Sequence, residues 1–219
     1  MKIYYGSKIV IERPAFKGSD EANDYGPSFY LTKDLEAAKS WACENNSVGI
    51  VNEYEIRKSS FDGLKILDLT NKDKYSVLNW IAILMHFREL DSSFVKNNNL
   101  TLNWLEKYYI NVDEFDVIAG FRADDSYFRF PLRFVSNDLS FDDLEDVFLS
   151  GHLGVQYAFM SERAIKLLTF KKIIECGDEY LGHYYLIVSK ASKQFDELLI
   201  RPRDPKKKYI LDLMREENE

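Results

Sequence analysis

The sequence has few of the residues that build disulfide frameworks and metal centres. Among its 219 residues are two cysteines, Cys43 and Cys176, and three histidines, and none of them lies in a CxxC, HExxH or similar arrangement. Metal sites built from Cys and His require such spacings. We therefore expect no metal site and two reduced, buried thiols.

Long apolar runs are also missing. No segment approaches the roughly 20 apolar residues that cross a bilayer, and the opening stretch MKIYYGSKIVIERP lacks the apolar core of a signal peptide. We therefore expect a cytoplasmic protein with no membrane partner.

Net positive charge is absent too, because the formal net charge is -7. This charge opposes general adhesion to nucleic-acid phosphates, although it leaves a nucleic-acid substrate open. The basic stretch RPRDPKKKY at 201–209 is typical either of a local phosphate contact or of a charged linker before a terminal helix.

Apolar and aromatic residues are plentiful, at 46% and 15% of the chain, which is enough for a substantial core. Alternating patterns predict strands towards both ends of the chain, and periods of three to four residues predict helices between them. The strongly apolar pattern YSVLNWIAILMHFREL begins a helical insertion at about 74–112. The fold class is therefore α+β, in a single domain over residues 1–219.

Three local patterns make predictions that the structure can check. The first 13 residues alternate like one strand that Pro14 ends. Thr32 or Asp34 can cap a helix over DLEAAKSWACEN. Near the C-terminus, LTFKKIIECG and YLGHYYLIVSK have the composition of a hairpin-like pair of strands.

The glycine of YYGS, at 4–7, follows a strand pattern without a hairpin turn or helix end to explain it. One explanation is that a strand simply ends there. The other is that the backbone of Gly6 lies against a ligand, because a residue without Cβ permits the closest approach.

Four separated motifs resemble the ADP-ribosyltransferase superfamily, and most closely the bacterial family DUF3990. They are YYGS with the IERP that follows, DYGPSFYLT with AAKSWA, DVIAGFRADDSYF, and VQYAFMSERAIKLL. The resemblance extends from Tyr4 to about Leu168. It implies a split β-sheet core of the ADP-ribosyltransferase type and transfer of ADP-ribose from NAD to a macromolecular acceptor, protein or nucleic acid, with release of nicotinamide.

The first motif implies where the carboxamide end of NAD binds. In the superfamily, this motif ends a strand whose glycine backbone bonds the nicotinamide carboxamide. The resemblance therefore assigns Tyr5, Gly6 and Ser7 to NAD binding. Tyr5 stands where most relatives have histidine.

The second motif implies an aromatic site for the nicotinamide ring. The resemblance places Tyr30 beneath the ring and Trp41 stacked on it, since an electron-rich aromatic face suits a planar cation. Ala38 stands where polymerase relatives carry a serine that bonds the carboxamide. Ser28 or Thr32 is then the candidate for that hydrogen bond.

The remaining motifs imply the catalytic groups. Gln156 stands where the superfamily has a glutamate that orients the nicotinamide ribose and stabilises the positive charge that develops as the glycosidic bond breaks. Gln156 can hold a ribose hydroxyl but carries no charge. Either Gln156 positions the ribose while substrate binding does the rest, or Asp124 or Asp125 supplies the missing charge. Arg122 or Arg129 can pair with those carboxylates or with the pyrophosphate.

Ordinary structural explanations exist for the same residues. Tyr30 and Trp41 are also typical of core aromatics, and the adjacent aspartates are typical of a solvated turn. Tyr5, Ala38 and Gln156 all depart from the superfamily pattern and favour an alternative, a catalytically weak or inactive NAD-binding, nucleotide-binding or protein-interaction module. Analogy with bacterial relatives suggests a toxin or phage-defence effector, with an antitoxin or inhibitor as a further partner.

Overall fold

A computed structural model describes residues 1–15, 22–44, 47–123, 125–149 and 154–217. Within these residues, seven strands form one sheet in the order β4-β5-β6-β2-β1-β3-β7. Neighbouring strands are antiparallel except β4 and β5, which are parallel. In chain order the strands are β1 (Lys2–Ser7), β2 (Phe29–Thr32), β3 (Ile50–Glu55), β4 (Ile66–Asp68), β5 (Val117–Phe121), β6 (Val155–Phe159) and β7 (Thr169–Glu175).

The helices occur between the strands or after the last strand, either singly or in runs of two or three. They are α1 (Leu35–Ala42), α2 (Val77–Phe87), α3 (Ser92–Asn97), α4 (Asn99–Leu105), α5 (Asp125–Val135), α6 (Phe141–Leu149), α7 (Glu162–Ile165), α8 (His183–Leu199) and α9 (Ile210–Glu216). Short 3-10 helices lie at Lys58–Phe61, Glu106–Tyr108, Val112–Glu114 and Asp178–Tyr180. The α+β class is confirmed. None of the helices in the described ranges combines the length and apolarity that would let it cross a bilayer.

Both faces of the sheet are covered by apolar residues. Adjacent residues of a strand point to opposite faces, and in β5 the neighbours Val117 and Ile118 belong to different buried clusters. The cluster around Ile118 includes α2, which is apolar on nearly every side and is therefore buried. Trp80 of α2 donates its indole N–H to the carbonyl oxygen of Phe121 over 3.1 Å, which fixes this helix against the end of β5.

Near the centre of the sheet, β1 and β2 are paired over only a short length. β1 pairs with β3 at six register positions but with β2 at a single one, Tyr4 with Thr32. On its other side, β2 pairs with β6 at four positions, which include Thr32 with Gln156. Beyond Tyr4, β1 and β2 therefore leave room between them.

The prediction of one strand through the first 13 residues is wrong. β1 ends at Ser7, and the segment that follows is held by a side chain of β3. The Asn52 amide donates to the carbonyl oxygen of Ile9 over 3.2 Å and accepts from the N–H of Ile11 over 2.8 Å. These bonds replace a strand ladder, and the alternating sequence does not reveal them.

The predicted hairpin near the C-terminus is also wrong. β7 forms as expected, but the second half of the pair is the start of the long helix α8. Ala191 and Phe195, four residues apart, are the buried positions of this helix and lie on one face of it. Aromatic and β-branched residues in its first turns resemble a strand, and packing overrides that preference.

The predicted cap of α1 is confirmed at one of its two candidates. The Asp34 carboxylate accepts from the backbone N–H groups of Glu36 and Ala37, at 2.9 and 3.2 Å. The Thr32 hydroxyl instead accepts from the N–H of Asp34 over 3.1 Å, just before the helix begins.

Candidate functional site

A cavity of about 780 Å³ lies where β1 and β2 separate. Its volume is in the range of small-molecule binding sites. Six residues that the sequence indicated as binding or catalytic groups line it, although they come from distant parts of the chain: Tyr5, Gly6, Ser28, Tyr30, Trp41 and Gln156.

Two other predicted binding residues lie elsewhere. Among the residues that the structure describes, neither Ser7 nor Thr32 lines the cavity. The Ser7 hydroxyl accepts from the N–H of Ile9 over 3.1 Å. Thr32 is buried, and its hydroxyl donates to the carbonyl oxygen of Val155 over 3.1 Å, which ties β2 to β6. Both hydroxyls are engaged by the backbone around them.

The predicted carboxylate pair cannot be placed in the cavity. Asp124 lies outside the described residues, and Asp125 begins α5 with a side chain that is also outside the description. The backbone at Asp125 is already helical, because α5 starts there. Of the two candidate arginines, Arg122 lines the cavity, whereas Arg129 stacks on the ring of Phe195 at 3.8 Å.

Gly6 is explained by the packing of α1 on β1. A Cβ atom at Gly6 would lie 2.1 Å from the carbonyl oxygen of Ala38 and 2.7 Å from the backbone nitrogen of Ala42. The backbone of β1 thus approaches the helix, which is one of the circumstances that require glycine. This close packing brings Trp41 of the same helix to the cavity wall.

Tyr30 holds the turn that precedes β2. Its hydroxyl donates to the carbonyl oxygen of Gly26 over 2.7 Å and accepts from the N–H of Tyr25 over 3.0 Å. Gly26 has a φ of 77°, a conformation that favours glycine. Burial raises the pKa of Tyr30, so its hydroxyl stays protonated. The ring of Tyr30 is therefore its main contribution to the cavity wall.

A cation already lies on the face of Trp41. The guanidinium carbon of Arg122 is 4.5 Å from the centre of the indole ring, in a cation–π contact. Both residues line the cavity. The sequence predicted a stacking role for Trp41, and the structure shows that one face of its ring accepts a planar cation.

The cavity also contains a buried aspartate that the sequence analysis did not single out. Asp24 is 5% exposed, and its Oδ2 accepts from the N–H of Ala123 over 2.8 Å and from Nε2 of Gln156 over 2.7 Å. Its Oδ1 lies 3.7 Å from Nη1 of Arg88 and has no hydrogen-bond partner among the described residues. Burial raises the pKa of Asp24, whereas the Ala123 N–H, Arg88 and Gln156 oppose that rise.

Asp24 and Arg88 were missed for different reasons. Asp24 begins DYGPS, whose composition is that of a turn, and the bond from the Gly26 N–H to the carbonyl oxygen of Asn23 shows that it is one. The position of Asp24 at the start of the second motif is the sequence feature that could have identified it as a site residue. Arg88 ends α2, within the helical insertion, and its sequence context gives no sign that it reaches the cavity.

The cavity thus combines one buried carboxylate, one buried amide, three guanidinium groups and several aromatic rings. Guanidinium groups bind phosphates, often through two hydrogen bonds, and the rings offer faces on which planar groups stack. In the described parts of the chain, no three His, Cys, Asp or Glu side chains are grouped to hold a metal ion. The arrangement suits a ligand that carries phosphates, hydroxyl groups and flat rings.

Comparison with known proteins identifies one family. The profile of a protein family of unknown function, DUF3990, matches residues 1–170, which include every residue named above as lining the cavity. No curated protein and no solved structure matches the chain. Helices α8 and α9 lie beyond the matched region. Because the match covers well over half of the sequence, this chain belongs to the DUF3990 family.

Proposed function

We propose that this protein transfers ADP-ribose from NAD to a macromolecular acceptor, protein or nucleic acid, with release of nicotinamide. The observation that carries the proposal is that six residues implied by the resemblance to ADP-ribosyltransferases line one cavity. These six residues are spread over more than 150 positions of the sequence, and nothing in their spacing requires them to share a site.

The sheet geometry gives separate support. The cavity lies where β1 and β2 diverge after their single register pair at Tyr4 and Thr32. This divergence is what a split sheet of the ADP-ribosyltransferase type would have at its substrate site. Gly6 and Tyr5, on the β1 side of the gap, are the candidates to contact the carboxamide end of NAD.

The charges of the cavity match the parts of NAD. Arg88 and Arg122 are suited to the two negative charges of the pyrophosphate. Tyr30 and Trp41 are suited to the planar rings, and the volume of about 780 Å³ is that of a site for a sizeable ligand.

The proposed reaction is a substitution at the ribose carbon that bears nicotinamide. The bond from this carbon to the nicotinamide nitrogen breaks, and its electron pair stays with the nitrogen, so nicotinamide leaves uncharged. A nitrogen or oxygen atom of the acceptor then bonds to the carbon and loses a proton. Positive charge develops on the ribose in between, and a negative charge nearby stabilises it.

The experiment is incubation of the protein with NAD labelled in its adenylate phosphate, together with a cell lysate that is afterwards separated into protein and nucleic-acid fractions. Released nicotinamide is measured in parallel. Arg122→Ala is the cavity variant, and Arg129→Ala, which removes an arginine stacked on Phe195, is the matched control. We expect Arg122→Ala to lower the rate about tenfold or more, because a charge-assisted bond to phosphate is lost, and Arg129→Ala to retain it.

The alternative is a module that binds NAD or another nucleotide without turning it over. The neutral Gln156, whose amide already donates to Asp24, favours this alternative. It predicts a rise in the melting temperature with NAD but no released nicotinamide. Absence of both label and released nicotinamide would overturn the transferase proposal. If transfer is found, growth arrest on expression of the active protein would support the toxin role.

A further inference from the structure

We propose that Asp24 supplies the negative charge of this site and that Gln156 is the residue that positions it. This inference rests on the proposed function. It assigns the catalytic carboxylate to the turn before β2 and not to β6, where the superfamily carries its glutamate. The assignment follows from the contacts of Asp24, its burial and the charges that face it.

The contact between the two side chains is direct and has a defined polarity. Gln156 lies at the β6 position that pairs with Thr32 of β2, and its Nε2 donates to Oδ2 of Asp24 over 2.7 Å. The same Nε2 lies 3.3 Å from the carbonyl oxygen of Phe121, to which it also donates. Both bonds use the amide as a donor, which fixes its orientation towards Asp24.

The other oxygen of Asp24, Oδ1, is buried and lacks a hydrogen-bond donor within the described part of the chain. Arg88 lies 3.7 Å from it, which is beyond hydrogen-bond distance but within ion-pair distance. Buried carboxylate oxygens are rarely left without a donor. Since Asp24 lines the cavity, we infer that a hydroxyl group of the substrate ribose is the missing donor.

The groups that face Asp24 favour its ionised form. Arg88, at the end of α2, and Arg122, after β5, are permanent cations. The N–H of Ala123 and the amide of Gln156 both donate to the carboxylate. Tyr30, on β2, has a raised pKa and stays neutral. Burial still raises the pKa of Asp24 on balance, but these donors and cations oppose that rise and surround the carboxylate with the partners that its ionised form needs beside the ribose.

The roles of the two residues are therefore different. Asp24 contacts the substrate and stabilises the charge that develops on the ribose carbon as nicotinamide leaves. Gln156 acts through Asp24, by donating a hydrogen bond that holds the carboxylate in place. A neutral amide donor suits this position, because a second carboxylate there would repel the first.

The test compares nicotinamide release by the full-length wild type, Asp24→Asn and Gln156→Glu across a range of pH. Asp116→Asn is the matched control, because it neutralises another buried aspartate that is not among the residues lining the cavity. We expect Asp24→Asn to lower the rate about 100-fold or more at saturating NAD, and Asp116→Asn to retain the wild-type rate. NAD-induced shifts in melting temperature show whether each variant still folds and binds.

Gln156→Glu provides a second measurement that does not depend on the folding of Asp24→Asn. In this variant the carboxyl groups at positions 24 and 156 are adjacent, and they share one proton at pH values below the raised pKa of the pair. The variant should lose activity as the pH rises through that pKa, because the two carboxylates then repel each other. We expect its descending limb to lie more than one pH unit below that of the wild type.

Three results would overturn the assignment. Full activity of Asp24→Asn, or a higher rate of Gln156→Glu with a pH profile parallel to the wild type, would show that Asp24 does not supply the charge and would leave the proposed function intact. Absence of nicotinamide release by the wild type would overturn the proposed function together with this assignment.

Discussion

A methyl group added at Gly6 would have no room in the folded protein. The Cβ atom of an alanine there would lie 2.1 Å from the carbonyl oxygen of Ala38 and 2.7 Å from the backbone nitrogen of Ala42. Both atoms belong to the backbone of α1, so rotation of a side chain cannot relieve the clash. The helix would have to move away from β1 by roughly 1 Å or more to restore ordinary contact.

The cost of Gly6→Ala follows from that displacement. Extra atoms in a packed core typically destabilise a protein by about 1 to 3 kcal/mol, and a rigid backbone neighbour places this variant at the upper end, at about 3 kcal/mol. For a chain of 219 residues, this loss corresponds to a fall of roughly 6 to 12 °C in the melting temperature. Movement of α1 would also displace Trp41 from the cavity wall.

Gly63→Ala is the matched control, because no atom lies within 4 Å of a Cβ built at Gly63. This variant should be as stable as the wild type or slightly more stable, since alanine restricts the unfolded chain. Thermal and urea unfolding of both variants, followed by circular dichroism with and without NAD, measures the difference. Equal stability of Gly6→Ala and the wild type would refute the packing explanation. Equal stability with loss of NAD binding would instead favour close approach of a ligand to Gly6.

Three further predictions concern parts of the protein away from the cavity. Asp116→Asn should lower the free energy of unfolding by about 2 kcal/mol at pH 7, because the buried carboxylate loses charge-assisted bonds, including those from Arg163. These bonds lower the pKa of Asp116, so their contribution is present above the unfolded pKa and is lost as the pH falls through the folded pKa. The difference in urea unfolding should shrink below about pH 4, and a constant difference would contradict this account. Cys43 and Cys176 are both buried and should react slowly with a thiol reagent until the protein unfolds. Burial and the adjacent Cys43 raise the pKa of Cys176 to about 12, and rapid labelling of the native protein would disprove this expectation. Lys8→Met should lower the free energy of unfolding by about 1 kcal/mol, because the Lys8 ammonium donates to the last carbonyl oxygen of α1 over 2.6 Å, and an unchanged urea midpoint would count against that role.

The elements that sequence patterns predicted well are those whose residues specify them locally. α2 has a continuous apolar surface, and Ser76 accepts from the N–H of Leu78 at its start. β6 forms where the sequence has VQYAF, and Gln156 lies at a buried position between two partly exposed ones. The errors occurred where distant residues decide the structure. The segment after β1 is held by Asn52 of β3, and α8 forms although its first turns have the composition of a strand.

The candidate site shows the same division. Motifs were sufficient to indicate Tyr5, Tyr30 and Trp41, because each lies in a short pattern that resembles a family. They did not indicate Arg88, which reaches the cavity from the end of α2. They also did not indicate that Gly6 packs against the backbone of α1. Tertiary contacts of this kind leave no trace in the spacing of residues.

Gln156 shows why a single departure from the ADP-ribosyltransferase pattern, which the proposed function invokes, is not a measure of lost charge. Taken alone, a glutamine in place of a catalytic glutamate predicts an inactive site. The structure places it 2.7 Å from a carboxylate that lies 132 positions away in the sequence. A glutamate at 156 could make that bond only if one of the two carboxyl groups kept its proton, whereas glutamine donates at any pH. Gln156 therefore donates to the buried Asp24 without adding a second negative charge. The charge of the site depends on both residues and not on residue 156 alone.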